Sequence, residues 1–159
     1  MDRTPLYLAA CLVLMSSCKK EDDPAPTPPP AVVCGMDGAR LQATFDGASW
    51  CANLTLFADG VPGTITISGM TQMGSTLTLE LEDTDVGTHP VSEDSNTILF
   101  TTSMAAGYLS SNNDPGTVTI TSHNTATRRI QGSFSANLYE ELGGTSKPIT
   151  GQFDVQYVE

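Results

Sequence analysis

The chain has 159 residues with 18 acidic and 7 basic side chains, a net charge of −11 at neutral pH. A surface this acidic repels phosphate backbones, so nucleic acid is excluded as a partner class. The imbalance peaks between Arg40 and Arg128, a stretch without Lys or Arg that holds Asp46, Asp59, Glu80, Glu82, Asp83, Asp85, Glu93, Asp94 and Asp114.

At the start, Leu6 to Met15 is an uncharged apolar run behind a short segment whose only basic residue is Arg3. It is too short to span a bilayer, which takes roughly 20 apolar residues, and reads as a cleaved secretory signal. Ser16-Ser17-Cys18 follows. That order resembles the lipobox of bacterial lipoproteins, in which the cysteine thiol is acylated and becomes the first residue after cleavage. Met15 stands where leucine is more usual, and an ordinary secretory signal with a chance cysteine is the alternative. Two or more acyl chains on Cys18 make a stable anchor.

Lys19-Lys20-Glu21-Asp22-Asp23 comes next, then Pro24-Ala25-Pro26-Thr27-Pro28-Pro29-Pro30. Proline fixes φ and lacks an amide hydrogen, so this run is expected to be an extended polyproline II spacer of about 3.1 Å per residue. The acidic residues just after Cys18 resemble the surface-export signal of Bacteroidota lipoproteins; a plain solvated linker is the alternative. The expected organisation is a signal peptide over 1–17, a lipidated cysteine and linker over 18–33, and one domain over 34–159, long enough to bury a core.

Cys11 leaves with the signal and Cys18 is taken by lipid. Cys34 and Cys51 remain, an even pair in an oxidising compartment, and are expected to form a disulfide. Two free thiols are the alternative. A zinc site lacks the paired Cys/His spacing that four ligands need.

From Leu41 onward the chain alternates with a period of two. Leu41 to Phe45 and Ser49 to Phe57 flank Asp46-Gly47, the strongest short hairpin signal because both turn positions favour positive φ. Thr64 to Ile67 and Thr76 to Glu82 alternate cleanly around a turn at Gln72-Met73-Gly74. Gly87 to Val91 carries Pro90, which suits a sheet edge. Thr97 to Ser103 holds Ile98-Leu99-Phe100, an apolar patch that fits a more buried strand. Ser110 to Gly116 is a loop by composition. Thr117 to Thr121, Ile130 to Leu138 and Ile149 to Tyr157 complete the set, with Phe134, Ala136 and Leu138 on one face and Ser133, Ser135 and Asn137 on the other. No stretch sustains a helical period. Roughly eight or nine short strands, each with one apolar and one polar face, predict an all-β fold. An antiparallel β-sandwich is expected, with a small closed β-barrel as the alternative.

Ala43-Thr44-Phe45-Asp46-Gly47-Ala48-Ser49-Trp50, Ile67-Ser68-Gly69, Gly116 to Ile120, Arg129 to Phe134 and Thr150 to Val155 together resemble a family of uncharacterised Bacteroidota lipoprotein domains. These open with a short hairpin ending in an aromatic residue and close with G-x-F strands. The resemblance runs from Leu41 to Val158. It implies a secreted, lipid-anchored all-β domain and carries no agreed catalytic residues.

Only His89 and His123 could act as bases near neutral pH, and no Gly-x-Ser-x-Gly elbow exists. His89 follows Glu82-Asp83-Thr84-Asp85, with Glu93-Asp94 soon after. Asp83, Asp85, Glu93 and Asp94 are weak calcium candidates, since calcium takes six to eight oxygen ligands; a solvated acidic loop is the bland reading, and no cofactor is otherwise expected. His123, ending a strand beside Asn124, reads as a surface or turn residue. Trp50 reads as core. Tyr108, beside Gly107 and close to the Ser110–Gly116 loop, is the best candidate for an exposed aromatic.

These features point to a lipid-anchored protein of the bacterial outer membrane, membrane-bound through Cys18, with a glycan or protein partner. A non-catalytic binding module is the expected function. A structural envelope component is the alternative, and a carboxylate-based hydrolase is a third reading for which the expected motifs are absent.

Overall fold

The computed structural model describes residues 34–35, 38–141 and 143–159; the expected signal peptide, Cys18 and the proline-rich segment lie outside them. Eleven strands follow in chain order: β1 (Arg40–Phe45), β2 (Ala48–Cys51), β3 (Thr55–Val61), β4 (Thr64–Met70), β5 (Thr76–Leu81), β6 (Gly87–Val91), β7 (Thr97–Thr101), β8 (Gly107–Ser110), β9 (Gly116–Asn124), β10 (Arg129–Glu140) and β11 (Ser146–Gln156). The count exceeds the expected eight or nine for two reasons. Ser49 to Phe57 breaks into two strands, because Ala52 to Leu54 leave the ladder and Asn53 and Leu54 both donate their amides to the Met70 carbonyl. The four-residue β8 is too short to show a period.

The hairpin signal at Asp46-Gly47 is met. Phe45 pairs with Ala48 across a two-residue turn, and both turn residues have positive φ, 50° and 78°. That conformation costs glycine nothing and aspartate little.

The strands form one antiparallel sheet in the order β2-β1-β11-β10-β8-β7-β5-β4-β3. β10 is where the sheet forks. One edge pairs with β11 along Arg129 to Tyr139. The other is shared, β9 taking Arg129 to Ser135 and β8 taking Leu138 to Glu140. β6 hangs on β9 alone, so Pro90 sits on an edge strand, where its missing amide hydrogen is tolerated. At the far end the sheet curls back. Gly60 donates its amide to the Val158 carbonyl at 2.7 Å, and Val158 donates to Ala58 at 3.1 Å, so the segment after β11 ties down the outer edge of β3.

The result has features of both expected architectures. The β4-β5-β7 wall faces the β2-β1-β11 wall as in a sandwich, while backbone pairing runs continuously from one to the other through β8 and β10, as in a barrel. The core between them follows the alternation. Leu41, Ile67, Leu77, Leu79, Ile130, Leu138 and Ile149 are fully buried, each worth about 1.5–3 kcal/mol of apolar transfer. Phe45 stacks on Phe100 at 4.1 Å between ring centroids, and Tyr108 and Trp50 meet these rings edge-on. Trp50 is core, as expected, and its indole N–H donates to Ser75 Oγ at 3.0 Å. Lys147 closes one end of this aromatic cluster. Its Nζ lies 5.8 Å from the Phe45 centroid and 5.7 Å from that of Tyr108, and it pairs with Asp46 at 2.9 Å.

Candidate functional site

The strand period that turns Leu41, Ala43 and Phe45 inward turns Gln42 and Thr44 outward, and the same holds on β10 and β11. Register then assembles what sequence order keeps apart. Thr44 lies opposite Thr150, which lies opposite Ser135, which lies opposite Thr117. Two residues along, Gln42 lies opposite Gln152, Gln152 opposite Ser133, and Ser133 opposite Thr119. Two parallel rows of hydroxyl and amide groups therefore cross the outer face. Strand neighbours stand about 4.8 Å apart and the rows about 6.8 Å apart.

Over β2, β1, β11 and β10 this face is hollowed into an open depression of about 660 Å³. Cys34 and Cys51 stand at its border. They are joined in a disulfide with Cα atoms 5.3 Å apart, as expected, and the arm is also held where Gly35 donates its amide to the Ala52 carbonyl at 3.1 Å. Among the described residues, no side chain that lines the depression carries a formal charge, and its walls expose more apolar than polar surface. Threonine methyls and glutamine stems thus alternate with hydroxyl and amide tips.

A smaller hollow of about 310 Å³ continues the face toward Arg40, Gln131 and Asp154. There Arg129 Nε donates to Asp154 Oδ1 at 2.7 Å. Partial burial works to raise the Asp154 carboxyl. Hydrogen bonds from Arg129 and Gln131 and the charges of Arg129 and Arg40 outweigh it, so the group stays below the ordinary aspartate value.

The candidates from the acidic stretch are placed differently. Among the described residues, no three His, Cys, Asp or Glu side chains converge as a metal site would require. Asp83 turns to Asn96, whose Nδ2 donates to Asp83 Oδ2 at 3.1 Å. Asp94 takes a hydrogen bond from Asn112 at 2.8 Å. Asp85 offers its carbonyl to His89 Nε2 at 2.8 Å, and Glu93 sits on the exposed turn between β6 and β7. The structure thus does not bring Asp83, Asp85, Glu93 and Asp94 together around one point.

Two readings of single residues change. Tyr108 is buried, 6% exposed, because β8 is a strand between β7 and β10 rather than the edge of a loop. Among the described residues, the exposed aromatic is Phe57, on the outer face of β3 at 59%. His123 is half-buried rather than a free surface residue. Its Nδ1 lies 3.0 Å from the Thr84 carbonyl and its Nε2 3.0 Å from the Tyr157 hydroxyl, so it joins β9 to the loop before β6 and to the chain end.

The sequence alone does not single out the rows of Gln42, Thr44, Ser133, Ser135, Thr150 and Gln152 as a site. The available signal was the polar half of each alternation, visible for Ser133 and Ser135. What it lacked was which strands lie side by side.

A family model described as a domain of unknown function, DUF6252, matches residues 37–154. No curated protein and no solved structure matches the chain. The matched span holds the hairpin, the fork at β10 and both G-x-F strands, and the chain belongs to the DUF6252 family.

Proposed function

We propose that this is a non-catalytic binding module of the bacterial envelope, a Bacteroidota-type lipoprotein carried on an acylated Cys18 and held away from the outer membrane by its proline-rich segment. The observation that carries the reading is the uncharged depression over β2, β1, β11 and β10. Concave surfaces with a few convergent polar groups are where ligands bind, and here they stand on rigid paired strands rather than on loops. A hydrolase would need a placed acid and base. Among the described residues, the side chains lining this depression supply neither. The reading calls for no cofactor.

The test replaces Thr150, at the centre of the depression, with a diazirine-bearing amino acid in the full chain made by living cells. The same probe at Thr55, exposed on β3, is the control. A light-dependent adduct with an envelope component at position 150 and none at 55 is expected. Equal labelling at both positions, or none at either, would favour a structural component.

A further inference from the structure

Resting on that reading, we infer that the depression recognises a neutral oligosaccharide lying across the strands. Among the described residues, the lining chemistry removes the other ligand classes one by one. An anion would meet no cationic side chain in the depression and a chain of net charge −11 around it. A cation would need carboxylates, and none lines it. A peptide adding as a strand needs free backbone donors and acceptors, but β1, β11 and β10 each pair on both sides, and β2, the edge strand of the depression, is only four residues long. A wholly apolar ligand would bury hydroxyls and amides without partners, a desolvation cost that nothing in such a ligand offsets.

A neutral sugar fits what remains. Its hydroxyls exchange hydrogen bonds with serine, threonine and glutamine, and its C–H faces pack on the methyls and stems between them. Among the described residues, the groove groups are also uncommitted. Elsewhere on the outer surface hydroxyls pair with one another, Ser68 with Thr78 and Thr71 with Ser75, and at the β9 end of the second row, beyond the depression, Thr119 pairs with Thr88. Gln42, Thr44, Ser133, Ser135, Thr150 and Gln152 stand outside these side-chain pairings among the described residues. The rows repeat at about 4.8 Å from strand to strand, a step comparable with the length of one pyranose unit, so successive sugar units would meet equivalent donors.

The experiment titrates the full chain, kept in detergent, with linear hexasaccharides of glucose, xylose and mannose, and with an oligogalacturonate as the charged counterpart. At least one neutral hexasaccharide is expected to bind with a dissociation constant below about 1 mM, equivalent to about −4 kcal/mol, and the oligogalacturonate to bind at least tenfold more weakly. Thr150→Val keeps the branched shape and removes the hydroxyl; Gln152→Ala removes the amide. Each is expected to weaken binding about tenfold without moving the melting midpoint, while Thr55→Val changes neither. Silence across the neutral panel, unchanged affinity in both groove variants, or equal binding of the oligogalacturonate would overturn the inference. If the panel is silent while the probe at position 150 still captures an envelope component, the binding module stands and its ligand is not a neutral saccharide.

Discussion

Phe134 of β10 lies directly across from Gly151 of β11, and a Cβ at 151 would collide with its ring at Cζ. Two residues away the arrangement is mirrored. Phe153 lies across from Gly132, where a Cβ would come 2.6 Å from the Phe153 Cζ. Each G-x-F strand thus supplies the glycine on which the other's phenylalanine rests, and the antiparallel register makes the exchange reciprocal. A phenyl ring shielding a cross-strand glycine restores the packing that glycine alone would forfeit.

In most strands glycine to alanine is mildly favourable, because glycine loses more freedom on folding. Here the sign reverses. Gly151→Ala and Gly132→Ala are each expected to lower stability by about 1–3 kcal/mol through overpacking, read as a lower urea midpoint with unchanged slope. Gly107→Ala, where the nearest atom to a new Cβ is the Glu141 carboxylate at 3.4 Å, should stay within about 0.5 kcal/mol of the parent. Equal effects at all three positions would discard the reciprocal packing.

Asn96 is 1% exposed and holds the acidic loop together. Its Oδ1 accepts the amides of Glu82 and Asp83 at 3.0 and 3.1 Å, and its Nδ2 donates to the Pro90 carbonyl at 3.0 Å. Its φ of 51° is one that asparagine tolerates better than most residues. Asn96→Ala strands these partners and keeps the strained φ, so a loss of about 3 kcal/mol is expected in a denaturant melt. Asn96→Gly relieves the backbone and should recover part of it. A glycine variant no better than alanine would show that φ contributes nothing.

The Arg129–Asp154 pair predicts an acid-side effect. The Asp154 value is lowered in the folded state from an ordinary 3.8, so the unfolded chain takes up the proton first as pH falls. The stabilisation is present in full above about pH 4 and is lost as pH drops through the lowered folded value. Asp154→Asn should flatten the stability profile below pH 4 while leaving its shape near neutrality unchanged. A variant with the parent's acid slope would assign that slope to other carboxylates.

The disulfide joins residues 17 apart in sequence. In the chain-entropy model a loop of this size is worth about 3 kcal/mol. Cys34→Ser with Cys51→Ser should lower the melting midpoint of the full chain by several degrees, and reductant should bring the parent to the same value. A parent insensitive to reductant would show that the bond adds no net stability.

Cys18→Ala should move the protein from the membrane fraction to the soluble fraction of disrupted cells, since one acylated cysteine is the whole proposed anchor. Persistent membrane association would end the lipobox reading and point to attachment through the domain.

Several features of this protein were legible in its sequence because they depend only on neighbours along the chain. A period of two marks a strand and its buried face, so Leu41, Phe45, Phe134 and Phe153 could be placed in the core unaided. Asp46-Gly47 names its own turn, Pro90 its own edge, and Cys34 and Cys51 their own bond. Which strands become neighbours is a different kind of fact. Backbone hydrogen bonds are the same for every residue, so nothing local says that β6 will pair with β9, that β10 will fork, or that the chain end will return to β3. Tyr108 reads as exposed in sequence and is buried in the fold for this reason, since a short strand shows its burial only when both partners are beside it. Only the tertiary structure set Phe134 on Gly151 and lined up Thr44, Thr150 and Ser135. A row of side chains across a sheet is made by register between distant segments, and register is decided by packing rather than by any one strand's sequence.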